Sequence, residues 1–416
     1  MSASNFPDPS LVRGLTQSRF GRRDLLRAGG LGALGMTLAA CGVKGKGKPS
    51  ASVAPDAIAK FWGSKTKNGH VDFANWPLYM DPKHPELKKF TAETGITVNY
   101  QEVIQEMGPW FAKVQPQLSA GQSIGYDLMV ITNSTQFGQF VDSGFLAPLD
   151  HSKMPNFAKN AGAKYKVEAY DKGNVYSVPW ASGITGIAYD PKHIDVPPTK
   201  IADLWNTKYK GKVGMFSDPQ ELGNFGLMSL GINPDTSTES DWEKAAKHLK
   251  DQKDAGIVRK YYDQGYIEAL AGGQVWMTQA WSGDIFQKNL SDGTDFKFVI
   301  PSDGGTLWTD NMTIPITAKN PVDAIELIDF FYRPEIAGTL AEYINYVSPV
   351  PAAKQQIDTD AAAAKGADKT TLQAVATSDV VFPTDEIYKR LHYYVTFDSV
   401  GESQTFNKLF EPIVLG

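Results

Sequence analysis

The chain has 416 residues, with 41 Lys and Arg against 46 Asp and Glu, and 42% of its residues are hydrophobic. Its length favours two domains, and its apolar content excludes an intrinsically disordered protein. The net charge of −5 disfavours a nucleic-acid-binding protein, which usually carries a basic surface. Cys41 is the single cysteine, which excludes intrachain disulfides and thiolate metal clusters.

The N-terminal segment, residues 1–40, has the features of an export signal. Residues 22–27 read Arg-Arg-Asp-Leu-Leu-Arg and resemble the twin-arginine export motif. The apolar run over residues 28–40 is too short to cross about 30 Å of hydrocarbon as an ordinary helix. Residues 38–41 read Leu-Ala-Ala-Cys and resemble a bacterial lipobox, in which the Cys thiol receives a diacylglyceryl group.

These features predict the maturation and location of the protein. We expect residues 1–40 to be removed, Cys41 to be lipidated and residues 41–67 to form a lipidated tether. Residues 42–55 are mainly Gly, Lys, Ser, Ala and Pro, which is typical of a solvated linker. The mature protein is then expected outside the cytoplasmic membrane, in the periplasmic space or on the outer face of that membrane. The alternative is an accidental arginine pair with an ordinary buried cysteine.

Beyond residue 68 the hydrophobic pattern alternates between strands and helices, which predicts an α/β fold. In the first α/β unit, strands are predicted at 70–74, 96–100 and 126–131, and helices at 85–94, 110–120 and 135–143. In a second unit, which begins near residue 185, strands are predicted at 213–216, 274–280 and 296–300, and helices at 221–230, 242–252 and 265–271. Helical segments follow at 321–331, 334–343, 360–378 and 402–410.

Three segments of the chain resemble a known family. Residues 73–79 read Phe-Ala-Asn-Trp-Pro-Leu-Tyr, residues 217–221 read Ser-Asp-Pro-Gln-Glu, and residues 307–315 read Leu-Trp-Thr-Asp-Asn-Met-Thr-Ile-Pro. Together they look like segments of the bacterial extracellular solute-binding proteins that serve spermidine and putrescine ABC importers. The resemblance implies a monomer without enzymatic activity or cofactor, whose partners are a polyamine and an ABC permease in the membrane.

The resemblance also implies an α/β, two-lobed periplasmic-binding-protein fold of the type II-like class. Each lobe is a mixed sheet flanked by helices, and the ligand cleft lies between the lobes. The first lobe is expected to comprise residues 68–184 plus 310–355, and the second residues 185–309 plus 356–416. Such lobes close around a ligand by a hinge motion.

A polyamine is a flexible chain of protonated amines separated by methylene groups. Carboxylates bind ammonium groups through charge-assisted hydrogen bonds, and aromatic faces cover methylenes and attract cations by about 0.5–2 kcal/mol each. The acidic candidates are Asp218, Glu221, Asp284 and Asp310. The aromatic candidates are Trp76, Tyr79, Trp281, Trp308 and Tyr346. Thr132 and Asn133 are candidates in the polar turn after the third predicted strand, where similar proteins usually carry an aromatic residue and this chain has none before Phe137.

Several of these residues also fit a purely structural role. Asp218-Pro219-Gln220-Glu221 has the spacing of a helix-capping box, although a capping carboxylate can still bind a ligand through its second oxygen. Trp281 and Trp308 equally fit a hydrophobic core.

Other functions remain as alternatives. A related binding protein for ferric iron could use adjacent tyrosines, as in Tyr261-Tyr262 and Tyr393-Tyr394. Tyr261-Tyr262 follows a charged helix and fits a surface or packing role, and Tyr393-Tyr394 falls in a possible strand, where neighbouring side chains point to opposite faces. A binding protein for another organic cation or for an anion belongs to the same class. An extracytoplasmic hydrolase with paired carboxylates is disfavoured because the sequence has no nucleophile elbow and no phosphate loop.

Overall fold

The computed structural model describes residues 55–395, 397 and 400–415. The predicted export signal, Cys41 and the first part of the tether lie outside the described residues. None of the helices in the described part combines the length and apolar character that a membrane span requires.

The described strands form one mixed sheet. Its strands are β1 (His70–Asn75), β2 (Thr97–Glu102), β3 (Leu128–Thr132), β4 (Ser177–Tyr189), β5 (Val213–Phe216), β6 (Val258–Tyr262), β7 (Met277–Trp281), β8 (Lys297–Val299), β9 (Gly305–Thr313) and β10 (Leu391–His392). They are arranged in the order β2-β1-β3-β9-β4-β7-β5-β6, with β10 beside β9 and β8 beside β4. The pairs β1–β2, β1–β3, β5–β6 and β5–β7 are parallel, as expected for strands joined through helices.

The α-helices pack around this sheet. They are α1 (Pro55–Trp62), α2 (Pro85–Thr94), α3 (Met107–Ser119), α4 (Thr135–Asp142), α5 (Pro155–Asn160), α6 (Pro219–Ser229), α7 (Glu239–Asp254), α8 (Tyr266–Ala271), α9 (Ser282–Asp292), α10 (Pro321–Phe331), α11 (Pro334–Ile344), α12 (Ala353–Ala363), α13 (Gly366–Thr377), α14 (Asp385–Tyr388) and α15 (Val400–Leu415). Pro begins α2, α5, α6, α10 and α11, at the position where its missing N–H costs no hydrogen bond.

Two long antiparallel strands, β4 and β9, connect the two halves of the sheet. They pair from Ser177 opposite Thr313 to Thr185 opposite Thr306, with an irregularity between Pro179 and Ala181. Both strands are buried along their whole length. At one end β9 pairs with β3, and at the other end β4 pairs with β7. The chain therefore crosses between the two lobes through these strands.

Each half of the sheet has its own hydrophobic core. In the first, Trp180 packs edge-on against Phe73 and Phe331, with ring centroids 5.8 and 4.7 Å away. In the second, residues of α6 and α7 such as Phe225 and Leu249 are buried against β5. Burying each such side chain contributes about 1.5–3 kcal/mol. Each half of the sheet thus has the separate core that a lobe of its own requires.

The C-terminal helices pack in different hydrophobic clusters. Ile357 of α12 and Val375 of α13 are buried in a separate cluster with Ala341 of α11, and Phe286 of α9 packs against it. Phe406 and Phe410 of α15 instead belong to the core of the second lobe. In the sequence, α14 and β10 lie between α13 and α15.

The structure differs from the prediction at the end of the expected tether. Residues 55–62 form α1, and Trp62 is buried with its indole nitrogen 2.8 Å from the carbonyl oxygen of Pro148. This part of the segment 41–67 packs on the first lobe because a buried tryptophan with a satisfied N–H is stable there. The polar composition of the preceding residues gave no sign of that contact.

Candidate functional site

Several predicted site residues meet where the two lobes join. Asp310 and Trp308 lie on β9, Thr132 ends β3, Trp281 ends β7 and Glu221 lies in the first turn of α6. Asp284 lies in the first turn of α9, and the remaining members come from connecting segments. Strand ends and helix starts place side chains with a precision that loops alone do not have.

Asp310 is held from the first lobe. Its carboxylate accepts hydrogen bonds from the hydroxyl of Tyr79 at 2.6 Å and from the hydroxyl of Thr132 at 2.5 Å. Thr132 is the register partner of Asp310 across β3 and β9, so the strand pairing itself brings the two together. Burial raises the pKa of Asp310 to about 6, although both hydrogen bonds favour the charged form.

Glu221 is held from the second lobe. One carboxylate oxygen, Oε1, accepts from the Trp281 indole at 2.9 Å, the Thr185 hydroxyl at 2.7 Å and the Tyr394 hydroxyl at 3.0 Å. The other oxygen, Oε2, is buried and has no hydrogen-bond partner among the described residues. Burial raises the pKa of Glu221 to about 7. A buried acceptor without a donor is costly, so this oxygen is a place where a ligand donor can bind.

Asp218 performs the capping role that its sequence predicts. Its Oδ1 accepts from the backbone N–H groups of Gln220 and Glu221, both at 2.9 Å. Because both bonds use Oδ1, the second oxygen remains for another donor. The side chain is accessible to solvent, yet surrounding protein raises its pKa through desolvation. A side chain that is accessible to solvent and yet closely surrounded by protein is typical of a residue that lines a cleft.

Aromatic rings connect the two acids. The Trp281 and Trp308 centroids lie 6.4 Å apart, Trp308 and Tyr346 lie 5.2 Å apart, and Tyr346 and Tyr79 lie 5.9 Å apart. The path therefore runs from the donor on Glu221 to the donor on Asp310 through edge-to-face ring contacts. The Trp308 indole nitrogen is buried without a partner in the described structure.

Trp281, Trp308, Tyr346 and Tyr79 form an aromatic wall, and a glycine on β4 makes room for it. A Cβ at Gly183 would lie 2.0 Å from the Trp308 ring, a distance that no side chain can occupy. Gly183 is opposite Trp308 in the β4–β9 register, so the indole lies directly across the strand. Any larger residue here would displace the ring from the cleft.

Asp284 and Tyr346 are also brought together. Asp284 accepts from Tyr346 at 2.8 Å and from Tyr266 at 2.7 Å, so both of its oxygens are occupied. Burial raises the pKa of Asp284, and the two hydroxyl donors oppose that rise. Among the four predicted acids, Asp284 is the one whose donors are both tyrosines.

Trp76 and Asn133 have contacts that are structural. The Trp76 indole donates to the carbonyl oxygen of Val130 at 3.0 Å, which attaches it to β3. Asn133 exchanges hydrogen bonds with Thr309, its side chain accepting from the backbone N–H and its own N–H donating to the carbonyl, each at 2.9 Å. Asn133 thus continues the pairing of β3 with β9 beyond Thr132.

The structure adds residues that the sequence reasoning missed. Tyr394 and Thr185 bind Glu221, and the exposed Glu106 at the start of α3 lies close enough to Asp218 for their charges to interact. The sequence marks Tyr394 only as part of a tyrosine pair. Its neighbour Tyr393 donates to a different carboxylate, that of Glu168, at 2.7 Å. The two hydroxyls therefore bind different carboxylates, although both tyrosines follow β10 and do not lie in the strand that the sequence suggests.

The described residues contain no group of three or more His, Cys, Asp and Glu side chains that could hold a metal ion. The cleft instead combines carboxylates, hydroxyls and aromatic faces. That combination suits an organic cation, because an ammonium group donates to carboxylates and its methylenes pack on rings.

Comparisons with known proteins show the family of this chain. Residues 87–369 match the family described as bacterial extracellular solute-binding protein. The spermidine/putrescine-binding periplasmic protein of Escherichia coli is 31% identical over 300 residues, which cover 71% of this chain and 82% of that protein. The putrescine-binding periplasmic protein SpuD of Pseudomonas aeruginosa is 27% identical over 337 residues, covering 77% and 85%.

A solved structure is similar over nearly its whole length. The spermidine/putrescine ABC transporter substrate-binding protein PotD of Streptococcus pneumoniae superposes with a TM-score of 0.70 at 26% identity, covering 84% of this chain and 99% of that one. The fold is thus the two-lobed fold of periplasmic binding proteins. This chain belongs to the bacterial extracellular solute-binding protein family.

Proposed function

We propose that this protein captures a polyamine of the spermidine and putrescine class outside the cytoplasmic membrane and delivers it to an ABC importer. The observation that carries the proposal is the pair of buried carboxylates, Asp310 and Glu221, joined by a continuous series of aromatic rings. Similarity to polyamine-binding relatives supports the same ligand class.

The charges of the cleft call for a cationic ligand. The hydrogen-bond donors on Asp310 and Glu221 are hydroxyl and indole groups, which carry no positive charge. A buried carboxylate is stable as an anion only when a cation compensates it. Protonated amines at the two ends of a ligand supply that compensation.

The rings between the acids suit the hydrocarbon part of such a ligand. Trp281, Trp308 and Tyr346 present apolar faces and edges, which can cover methylene groups and remove them from water. Asp218, at the accessible side of Glu221, is placed to meet a further amine. No group of the ligand needs to react, so the proposed role is binding alone.

Calorimetry with spermidine and putrescine tests the proposal. Asp310→Asn should weaken binding about 30-fold, because a charge-assisted hydrogen bond to a buried ammonium is lost, and should leave the melting temperature nearly unchanged. The control is Asp251→Asn on the surface of α7, where an exposed ion pair with Lys247 is lost. No measurable binding of either amine by the native protein would contradict the proposal.

We further propose that a lipid on Cys41 anchors the mature protein to the outer face of the cytoplasmic membrane. The lipobox-like residues 38–41 support this anchor. Cys41→Ser should release the protein into the soluble fraction, because one diacylglyceryl group supplies the membrane affinity. Membrane association of the Ser variant after fractionation would count against the anchor.

We propose lobes close to those expected from the sequence, with residues 68–184 and 310–355 in the first and 185–309 in the second. We assign α12 and α13 to the first lobe, because Ile357 and Val375 are buried with Ala341 of α11. We assign α15 to the second lobe, because Phe406 lies against Gly223 of α6.

A further inference from the structure

Asp284 resembles Asp310 in accepting one hydroxyl donor on each oxygen, but both donors on Asp284 are tyrosines. Tyr266 donates to Oδ2 at 2.7 Å and Tyr346 donates to Oδ1 at 2.8 Å. Burial raises the pKa of both tyrosines well above the ordinary value, so both hydroxyls stay protonated and act as donors. The carboxylate of Asp284 thus connects two tyrosine rings, whereas Asp310 and Glu221 each bind a single tyrosine.

The two tyrosines belong to different parts of the site. Tyr266 begins α8 and packs on the second-lobe side, with its ring centroid 5.9 Å from that of Trp281. Its hydroxyl oxygen accepts from the backbone N–H of Trp281 at 3.1 Å. Tyr346 follows α11 and packs on the first-lobe side, against Trp308 and Tyr79. Asp284 therefore connects Tyr266, which packs on the Glu221 donor Trp281, with Tyr346, which packs on the Asp310 donor Tyr79.

A second observation shows that Tyr346 is fixed at this position. Gly283 precedes Asp284, and a Cβ there would lie 2.6 Å from the Tyr346 ring. The ring thus lies directly on the backbone of α9. On the same helix, Gln287 donates to the carbonyl oxygen of Ile344 at 2.6 Å, which attaches α9 to the end of α11.

We propose that Asp284 is a positioning residue: with Tyr266 and Tyr346 it forms a brace that holds the aromatic wall in place, and it does not itself receive a ligand amine. This assignment rests on the proposed function for its ligand. The brace fixes Tyr346 against Trp308 and Tyr266 against Trp281. A wall that is fixed before binding loses less conformational freedom when the ligand arrives.

Two substitutions at Asp284 separate the two roles. Asp284→Asn keeps an acceptor for Tyr346 and offers an amide N–H to the Tyr266 oxygen, so the brace persists without its charge. Asp284→Ala removes both hydrogen bonds. If Asp284 positions the wall, spermidine should bind the Asn variant within about fivefold of the native affinity, whereas the Ala variant should release it about tenfold faster in stopped-flow measurements.

Tyr346→Phe provides a second route to the same answer. It removes one donor from the brace and should also speed spermidine release, by about fivefold. The matched control is Tyr332→Phe, whose hydroxyl donates to the carbonyl oxygen of Pro179 within the first-lobe core. If Asp284 instead bound an amine, freeing its oxygen in Tyr346→Phe would leave release unchanged or slower.

A ligand-free measurement keeps the inference testable if the protein proves not to bind spermidine. Incorporated 5-fluorotryptophan gives a fluorine NMR signal for Trp308, identified by its loss in Trp308→Phe. Asp284→Ala should shift or broaden this signal, and Asp284→Asn should restore it. An unmoved Trp308 signal in the Ala variant would overturn the brace, as would a loss of spermidine affinity of about 100-fold in the Asn variant.

Discussion

The two buried carboxylates at the ends of the cleft, Asp310 and Glu221, accept their hydrogen bonds in different patterns. Asp310 divides its hydrogen bonds, with one hydroxyl on each oxygen. Glu221 concentrates three donors on Oε1 and leaves Oε2 buried without a partner in the described structure. The Asp310 end comes from paired strands and a short loop. The Glu221 end comes from a helix start, two strands and the segment after β10 that carries Tyr394.

This difference indicates which end gains more from a ligand. At Asp310 an incoming ammonium shares oxygens that already have donors. At Glu221 it can give the unpartnered Oε2 its first hydrogen bond, which removes the cost of a buried orphan acceptor. We therefore expect the Glu221 end to supply the larger part of the electrostatic binding energy and Asp310 to add to it.

The largest expected effect comes from Glu221→Gln. The substitution removes the charge and directs an amide N–H₂ group at the ligand ammonium, so spermidine affinity should fall more than about 100-fold, beyond the loss in Asp310→Asn. The melting temperature should stay the same or rise, because a buried carboxyl with a raised pKa is replaced by a neutral group.

Glu326→Gln is the control for both cleft variants. It removes a carboxylate that pairs with Lys67 on the surface, and it should leave the affinity for spermidine unchanged. Calorimetry on the three variants ranks the two ends. A smaller loss in Glu221→Gln than in Asp310→Asn would reverse the proposed order.

The next effect is a dependence of affinity on pH. Burial raises the pKa of Glu221 to about 7 and that of Asp310 to about 6, so the free cleft holds protons that a cationic ligand must release. Affinity should therefore rise with pH, being about 20-fold weaker at pH 6 than at pH 8. The same raised pKa values make the ligand-free protein less stable as the pH rises through this range, because the unfolded chain has already released those protons.

Titrations in two buffers of different ionisation enthalpy measure the released protons. Glu221→Gln should lose most of the pH dependence above pH 6, because the group with the higher pKa is gone. Equal affinity of the native protein across the whole range would show that neither carboxyl takes up a proton in the free cleft.

The smallest expected effect is at Tyr394. Tyr394→Phe removes one of three donors from Glu221 Oε1, which should raise the pKa of Glu221 and weaken binding about threefold at neutral pH. Tyr393→Phe is the neighbouring control, because that hydroxyl binds Glu168 outside the cleft. Equal affinities for the two variants would remove Tyr394 from the Glu221 end.

Features encoded over short stretches of sequence were predictable. The capping role of Asp218 follows from Asp-Pro-Gln-Glu, and the chain of strands and helices follows from its hydrophobic period. The grouping of Trp281, Trp308, Glu221 and Asp310 came from resemblance to a family, since composition and spacing alone left both tryptophans as equally good core residues. In the structure Trp281 contacts both Glu221 and Trp308, and Asp310 is connected to them through Tyr79 and Tyr346.

Features that depend on distant contacts were not predictable. Tyr394 reaches Glu221 from the far end of the chain, and Tyr266 and Tyr346 meet on Asp284 only because α8, α9 and α11 pack together. No local pattern marks a tyrosine that will donate to a carboxylate on another element. The same reason explains why Trp62 was assigned to the tether although it is buried against the first lobe.

The most direct measurement is a crystal structure of the protein with bound spermidine. We expect one ammonium within hydrogen-bond distance of Glu221 Oε2, a second beside Asp310, and methylenes against Trp281 and Trp308. Spermidine bound outside the cleft, or in the cleft with no amine near Glu221, would contradict the central claim.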